Sequence, residues 1–369
     1  MEIFEKYNLK NNPFVITQTS TPNGFWIEGL GRDKCIEDIL KRSAWLNSSK
    51  IVLNYGKYGY GKSYAAKHYC SDKVLKSLFD NKPIPYTLYL KFPSNDEPIK
   101  EIFQQIVDNF DFVEIKKVLA KCGAFNIGKA VSHCSDNPFI KNIISGIFSQ
   151  MDDKLLKNDL KLYLFGNNDL KKLSSFGIQR NLSFDNDYIS FIVALINFLT
   201  YKKLVYPCVV LWFDDAEGIS TFSMYKIRLF NAAFCSLMEN TSNSLIFMNF
   251  TESIIFNWKD INIYFQKSLE SYIRNKIQFA VTDKNIYKLY VSKCISKERI
   301  HNNIDNNFYP YMEEVIDSVI NDMGDYLSFR SCNLAFSDLL ESGAETNETI
   351  IDISYYHRVK DNIWVLSLK

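Results

Sequence analysis

The stretch IVLNYGKYGYGKSYAAKHY, residues 51–69, limits what the chain can be more than any other. A short strand-like run leads into a loop with three glycines, Gly56, Gly59 and Gly61, and Lys62 and Ser63 then open an alanine-containing helical pattern. Residues 56–63 match G-x-x-x-x-G-K-S at every position. Glycine lets the backbone curl close to a polyphosphate with its N–H groups turned inward, and the following helix adds the positive end of its dipole. Lys62 is expected to reach the β and γ phosphates and the Ser63 hydroxyl to ligate Mg²⁺. Gly56, Lys57, Tyr58, Gly59, Tyr60, Gly61, Lys62, Ser63 and Tyr64 are the candidate nucleotide-binding residues. The competing reading is a plain glycine-rich turn; the strand before and the helix after favour the phosphate loop.

A chain of 369 residues with 47% hydrophobic content can bury two or three cores. Lys plus Arg (43) nearly cancels Asp plus Glu (42), so a nucleic-acid contact has to come from a local patch. The eight cysteines include no C-x-x-C pair, and His133 beside Cys134 is the only adjacent His–Cys pair, which does not close a zinc site. The start MEIFEKYNLK lacks a charged n-region before an apolar h-region, and no uncharged apolar run approaches the roughly 20 residues of a membrane span. A cytoplasmic protein is expected.

Along the chain, residues 1–14 read as a short helix stopped at Pro13, and 19–24 as a polar loop. A Gly-Arg-Asp turn and helix within 25–43 lead to a strand at 51–54. A helix at 63–79, a strand at 86–92 and a helix at 101–109 follow. Residues 110–185 are too long for an ordinary connection and read as a helical insertion. Its basic, aromatic stretch 157–172 is a candidate patch for nucleic acid, against a solvated helical face. The helix at 188–201 is apolar nearly all round, as burial against a sheet requires. Strands at 206–213 and 244–249 flank a helix at 225–239, and the first runs without alternation, as a parallel strand covered on both faces does. These elements give an α/β doubly wound parallel sheet with nucleotide at the strand ends. Residues 284–369 read as a helical domain, with IWVLSL (363–368) as a late strand. The division is an N-terminal segment 1–24, a core 25–283 with the insertion, and the helical domain 284–369.

Nucleotide hydrolysis also needs metal neutralisation and an oriented water. Asp214, at the end of the apolar strand, is placed to hold Mg²⁺ opposite Ser63, and Asp215 occupies the position of the water-orienting acid. Asp215 is a methylene shorter than the Glu usual there, so slow turnover is expected and Glu217 offers a longer reach. The acids are also suited to capping the next helix. Asn249 and Thr251 at the next strand tip can bond a γ-phosphate or water, although Asn and Thr also serve turns. Arg274 and Arg330 carry the fork that stabilises spread phosphate charge, in competition with ordinary surface ion pairs.

Together Gly31-Arg32, the phosphate loop, the 214–217 acidic strand end, the polar strand tip and an Arg in a C-terminal helical unit resemble an AAA+ ATPase. The NNPF at 11–14 and the DDAE at 214–217 resemble the branch holding origin-recognition-type initiators, transposition regulators and phage-defence ATPases. The resemblance covers 25–343 apart from the insertion. It implies ATP and Mg²⁺ as cofactors, phosphate and metal binding by Lys62 and Ser63, and metal and water roles for Asp214 and Asp215. It further implies γ-phosphate sensing by Asn249 or Thr251, a lid arginine in Arg330 and a trans-acting Arg274. It implies homo-oligomers that act on DNA or a DNA-processing complex. The alternative is a nucleotide-dependent switch or scaffold that scarcely hydrolyses ATP and recruits an effector; a small-molecule kinase lacks a locatable acceptor pocket.

Overall fold

Among the described residues, five strands form one sheet: β1 (Lys50–Gly56), β2 (Tyr86–Lys91), β3 (Val209–Asp214), β4 (Ser244–Thr251) and β5 (Ile273–Gln278), in the order β2-β3-β4-β1-β5. The structure is a computed structural model and describes all residues except 1, 15–25, 28–29, 81, 157–159, 167–172, 254–255, 302–305 and 364–369. The pairings β2–β3, β3–β4 and β1–β5 are parallel. Every residue of β3 is buried, which accounts for its unbroken apolar sequence. β5 is a strand absent from the sequence reading. Its IRNKIQ places Arg274, Lys276 and Gln278 outward in alternation, a weak signal beside the apolar runs of β3 and β4.

The expected helix 63–79 is two helices, α2 (Lys62–Tyr69) and α3 (Asp72–Leu78). Ser71 takes an extended backbone between them and Asp72 enters the first turn of α3, the residue types that start helices rather than continue them. Upstream lies α1 (Gly31–Trp45), and after β2 come α4 (Pro98–Asn109), α5 (Phe112–Ala120), α6 (Ala124–His133) and α7 (Pro138–Ser145). The insertion is helical as expected. Its Ile115, Ile140, Ile143, Ile144 and Phe148 share one core with sheet residues such as Leu90 and Leu211, so it thickens the sheet's own core. That core also takes in α8 (Asp185–Leu199) and α9 (Met224–Glu239). Stretch 157–172 lies in part outside the described residues, Lys157, Lys171 and Lys172 among them; of the rest, Leu160, Tyr163 and Leu164 are buried and Leu162 is 50% exposed.

The chain divides into two compact units. The sheet unit comprises Gly31–Tyr55 and Ala65–Gln278. The helical unit comprises Met1–Leu30, Gly56–Tyr64 and Phe279–Lys369, so the N-terminal segment and the phosphate loop cluster with the C-terminal helices. Those helices are α10 (Lys284–Glu298), α11 (Glu313–Asp322), α12 (Phe329–Glu345) and α13 (Ile353–Val359). Residues Glu2–Tyr7 form a 3₁₀ helix. Tyr7, Leu9 and Phe14 are fully buried in the helical core, Phe14 with its ring 5.5 Å from that of Phe336. Asn12 bends the chain over Pro13 by accepting from Phe14 N at 3.0 Å, and its Nδ2 donates to Ser337 and Glu341 on α12, both at 2.8 Å. The NNPF motif is thus the clamp that seats the segment on the helical unit. The expected loop 19–24 and all but the first residue of IWVLSL lie outside the described residues; before them, α13 makes the tail helical.

Candidate functional site

The phosphate loop runs from the end of β1 to the start of α2. Gly56 has φ +155°, and a Cβ there would stand 2.2 Å from the Phe279 carbonyl oxygen. Gly59 has φ +82°, and its Cβ would meet Ser328 Oγ at 2.5 Å and Arg330 Cβ at 3.0 Å. Both glycines are therefore required by close approach as well as by backbone sign. Lys62 is buried, and its Nζ donates to the carbonyls of Gly56 and Lys57, each at 2.8 Å, so the loop curls around its own lysine. Ser63 is exposed one residue into α2.

Two aromatic contacts of the loop were not foreseen. The Arg330 guanidinium stands 4.7 Å from the Tyr58 ring centroid, at the start of α12, where Ser328 and Ser331 form a reciprocal cap. The predicted lid arginine therefore meets the phosphate loop through an aromatic face. Tyr64 stacks on Trp26 with centroids 5.8 Å apart and planes 9° apart, and burial pushes its hydroxyl pKa up.

In the sheet unit, the ends of β1, β3 and β4 converge on a buried polar network. Asp214 accepts at Oδ2 from Tyr89 OH (2.7 Å) and at Oδ1 from Asn249 Nδ2 (3.0 Å). Asn249 Oδ1 accepts in turn from Asn54 Nδ2 (2.9 Å) and Trp212 Nε1 (3.0 Å). Asn54, Trp212, Asn249 and Asp214 are all at most 1% exposed, while Asn54 Oδ1 finds no donor among the described residues. Asn54 is the single polar residue in the apolar run of β1 and leads by two positions into Gly56, which was the signal available in the sequence. Burial, with Asp214 next, raises the Tyr89 hydroxyl pKa, keeping it a donor to the carboxylate.

Asp215 adopts a left-handed backbone (φ +59°), and its carboxylate is held by the Lys91 ammonium, whose Nζ also lies 3.8 Å from Asp214 Oδ2. Burial pulls the Lys91 pKa down, but the bond to Asp215 and the charge of Asp214 more than offset it, so the ammonium is raised. Glu217 accepts from the Thr251 backbone N at 2.9 Å, and burial raises its carboxyl pKa. Thr251 therefore engages an acid at the strand tip. Arg274, expected to act on the nucleotide of a neighbouring subunit, lies away from these acids of its own chain. It is exposed on β5, at an irregularity where Ile273 pairs with Ile51 and Asn275 with Val52. This is the start of β1, at the sheet end opposite Asp214, because the strands are parallel.

These residues fit a nucleotide and a divalent cation. The loop has glycine where it packs against Phe279 and Ser328, so its backbone keeps the curled course whose N–H groups suit phosphate. The Asp214 carboxylate is oriented by two donors, as a charged group that takes a hydrated cation must be. No protein-family model matches the chain, and no curated protein matches it. Solved structures do. The Aeropyrum pernix ORC2 protein in its ADPNP-ADP complexes matches with TM-score 0.55 at 11% identity, over 96% of this chain and 72% of that one. The ADP form of the same protein matches with TM-score 0.54 at 10% identity, over the same shares. CDC6P from Pyrobaculum aerophilum matches with TM-score 0.47 at 14% identity, over 95% of this chain and 70% of that one. At these identities the likeness concerns the fold.

Proposed function

We propose that this chain, which has the fold of the AAA+ P-loop ATPases, binds and hydrolyses ATP with Mg²⁺ and uses its nucleotide state to control assembly with further copies. The observation that carries the reading is the phosphate loop itself, with Lys62 gathered under the Gly56 and Lys57 carbonyls and no room for a side chain at Gly56 or Gly59. That the ORC2 protein is described in ADPNP-ADP and ADP forms supports it.

In this mechanism the loop N–H groups and Lys62 bind the phosphates, and Ser63 and Asp214 hold Mg²⁺. When bound there, Mg²⁺ would supply neutralisation of phosphate charge. Asp215 orients the attacking water, Glu217 standing behind it, and Asn249 or Thr251 reads the γ-phosphate. Arg330 leaves the Tyr58 face to meet phosphate charge. Arg274, on the outer strand, acts on the nucleotide of a neighbouring copy. The partner is DNA or a DNA-processing complex, in replication, mobile-element control or phage defence in the cytoplasm. No helix among the described residues is long and apolar enough to cross a membrane.

Lys62→Ala tests the reading: ATP affinity, measured with a fluorescent analogue, is expected to fall at least about tenfold, since a charged donor to phosphate is lost, with the melting temperature little changed. Unchanged binding refutes the site.

The Lys91 ammonium on Asp215 favours a second reading, a nucleotide-dependent switch with scant hydrolysis that recruits an effector protein. Steady-state ATP turnover of wild type and Asp215→Glu separates the two. Rapid wild-type turnover supports the first, and binding without turnover supports the switch.

A further inference from the structure

The chain carries almost no net charge, yet one face of the sheet unit is unevenly cationic. On the last turn of α1, Lys41 and Arg42 fall on one side with Trp45 by their four- and three-residue spacing, and Leu46 directly follows the helix. Trp45 is 65% exposed and Leu46 51%. The Lys82 ammonium stands 5.5 Å from the Trp45 ring centroid. From the other flank, Lys203 Nζ donates to Ala44 O at 2.9 Å, which brings Tyr201, Lys202 and the half-exposed Leu204 to the same place. Lys202 lies 5.6 Å from the Tyr201 ring centroid.

Among the described residues, none of Lys41, Arg42, Lys82, Lys202 and Lys203 pairs with a carboxylate, as is also true of other cations of this unit such as Lys73 and Lys76; what sets these five apart is their grouping around Trp45. The neighbouring acids in the chain are Glu37, Asp38 and Asp80; Glu37 and Asp38 stand one helical turn before Lys41 and Arg42, and among the described residues none of the three forms an ion pair with these cations. Lys202 and Lys203 are successive non-glycine residues in the left-handed region, φ +50° and +54°, a conformation that any Cβ disfavours. Stabilisation of the α1 C-terminus accounts for Lys203, which donates to Ala44 O, and for Arg42 in the last turn, but not for Lys82 and Lys202, which among the described residues make no side-chain hydrogen bond to its carbonyls. Cations spaced around an open indole match a strand whose phosphates take the charges and whose bases stack.

We propose that this face binds single-stranded nucleic acid, with Lys41, Arg42, Lys82, Lys202 and Lys203 on the phosphates and the Trp45 ring against an unpaired base. The proposal deepens the DNA-partner reading above and rests on it for the class of partner, not for nucleotide hydrolysis. An acidic protein segment would use the cations but leave the indole idle.

The test is fluorescence anisotropy with labelled oligo(dT) of about 20 nucleotides, and a duplex of equal length, from about 50 to 200 mM salt. Lys82→Glu/Lys202→Glu, both at exposed positions, is expected to weaken single-strand binding at least about tenfold and to flatten its salt dependence. Trp45→Ala is expected to weaken the single strand about tenfold and the duplex less than about twofold. Both variants should keep the melting temperature and ATP affinity of the wild type. Wild-type affinity in either variant, equal loss on duplex for Trp45→Ala, or no wild-type binding at low salt overturns the proposal. ATP binding measured in parallel keeps the two readings apart, because its failure sinks the nucleotide site and leaves this face standing.

Discussion

Asn249 donates its side-chain amide to Asp214, Nδ2 to Oδ1 at 3.0 Å, and each of the two residues is 1% exposed. The amide cannot turn over without sacrificing the two donors on its carbonyl end, Asn54 and Trp212. The strand that leads into the phosphate loop is thereby wired to the orientation of the acid on β3.

Trp212→Phe keeps an aromatic ring and removes the indole donor. The loss of one buried hydrogen bond is expected to cost about 1–3 kcal/mol in a denaturant melt. The Mg²⁺ concentration for half-maximal ATP turnover should rise with it, because Asn249, held through Asn54 but no longer by the indole, orients Asp214 less firmly. A variant that is destabilised but needs no more Mg²⁺ would reduce the network to packing.

Gly59→Ala places a Cβ against Ser328 Oγ at 2.5 Å in a left-handed backbone. The expected cost is about 1–3 kcal/mol of strain, and the loop must shift away from α12. Nucleotide affinity should fall with the melting temperature. Gly31→Ala is the control, since nothing stands within 4 Å of a Cβ there.

Glu217 gives a pH signature. Burial raises its carboxyl above the ordinary value of 4.5, so the fold disfavours its charged form. That cost is absent below the unfolded value and grows as pH rises from there through the folded one. Glu217→Gln should match wild type in melting temperature near about pH 4 and exceed it at about pH 7. A difference independent of pH would contradict the assignment.

Phe14→Ala should destabilise the helical unit by about 3–5 kcal/mol, the usual cost of emptying a buried aromatic site. Its ring packs on Phe336 and Tyr311. Differential unfolding followed by hydrogen exchange should place the loss in α12 and α10, with β3 and β4 protected as before. Uniform loss would mean that the two units unfold together.

What the sequence determined by itself was local chemistry. The phosphate loop could be read because its residues act within one turn of backbone, and β3 because a strand covered on both faces must be apolar throughout. Asp214 and Asp215 followed from their place at its end, and the helical character of the insertion from its periodicity. The tertiary structure decided the rest. Only strand pairing showed that Arg274 rides on β5, at the sheet end away from Asp214. Only the buried network showed that Asn54, Tyr89 and Trp212 hold the acid and its asparagine. Only packing placed the N-terminal segment and the phosphate loop with the C-terminal helices. These relations join residues far apart in the chain, and hydrogen bonds and buried surface between distant segments leave no spacing for a linear reading to find.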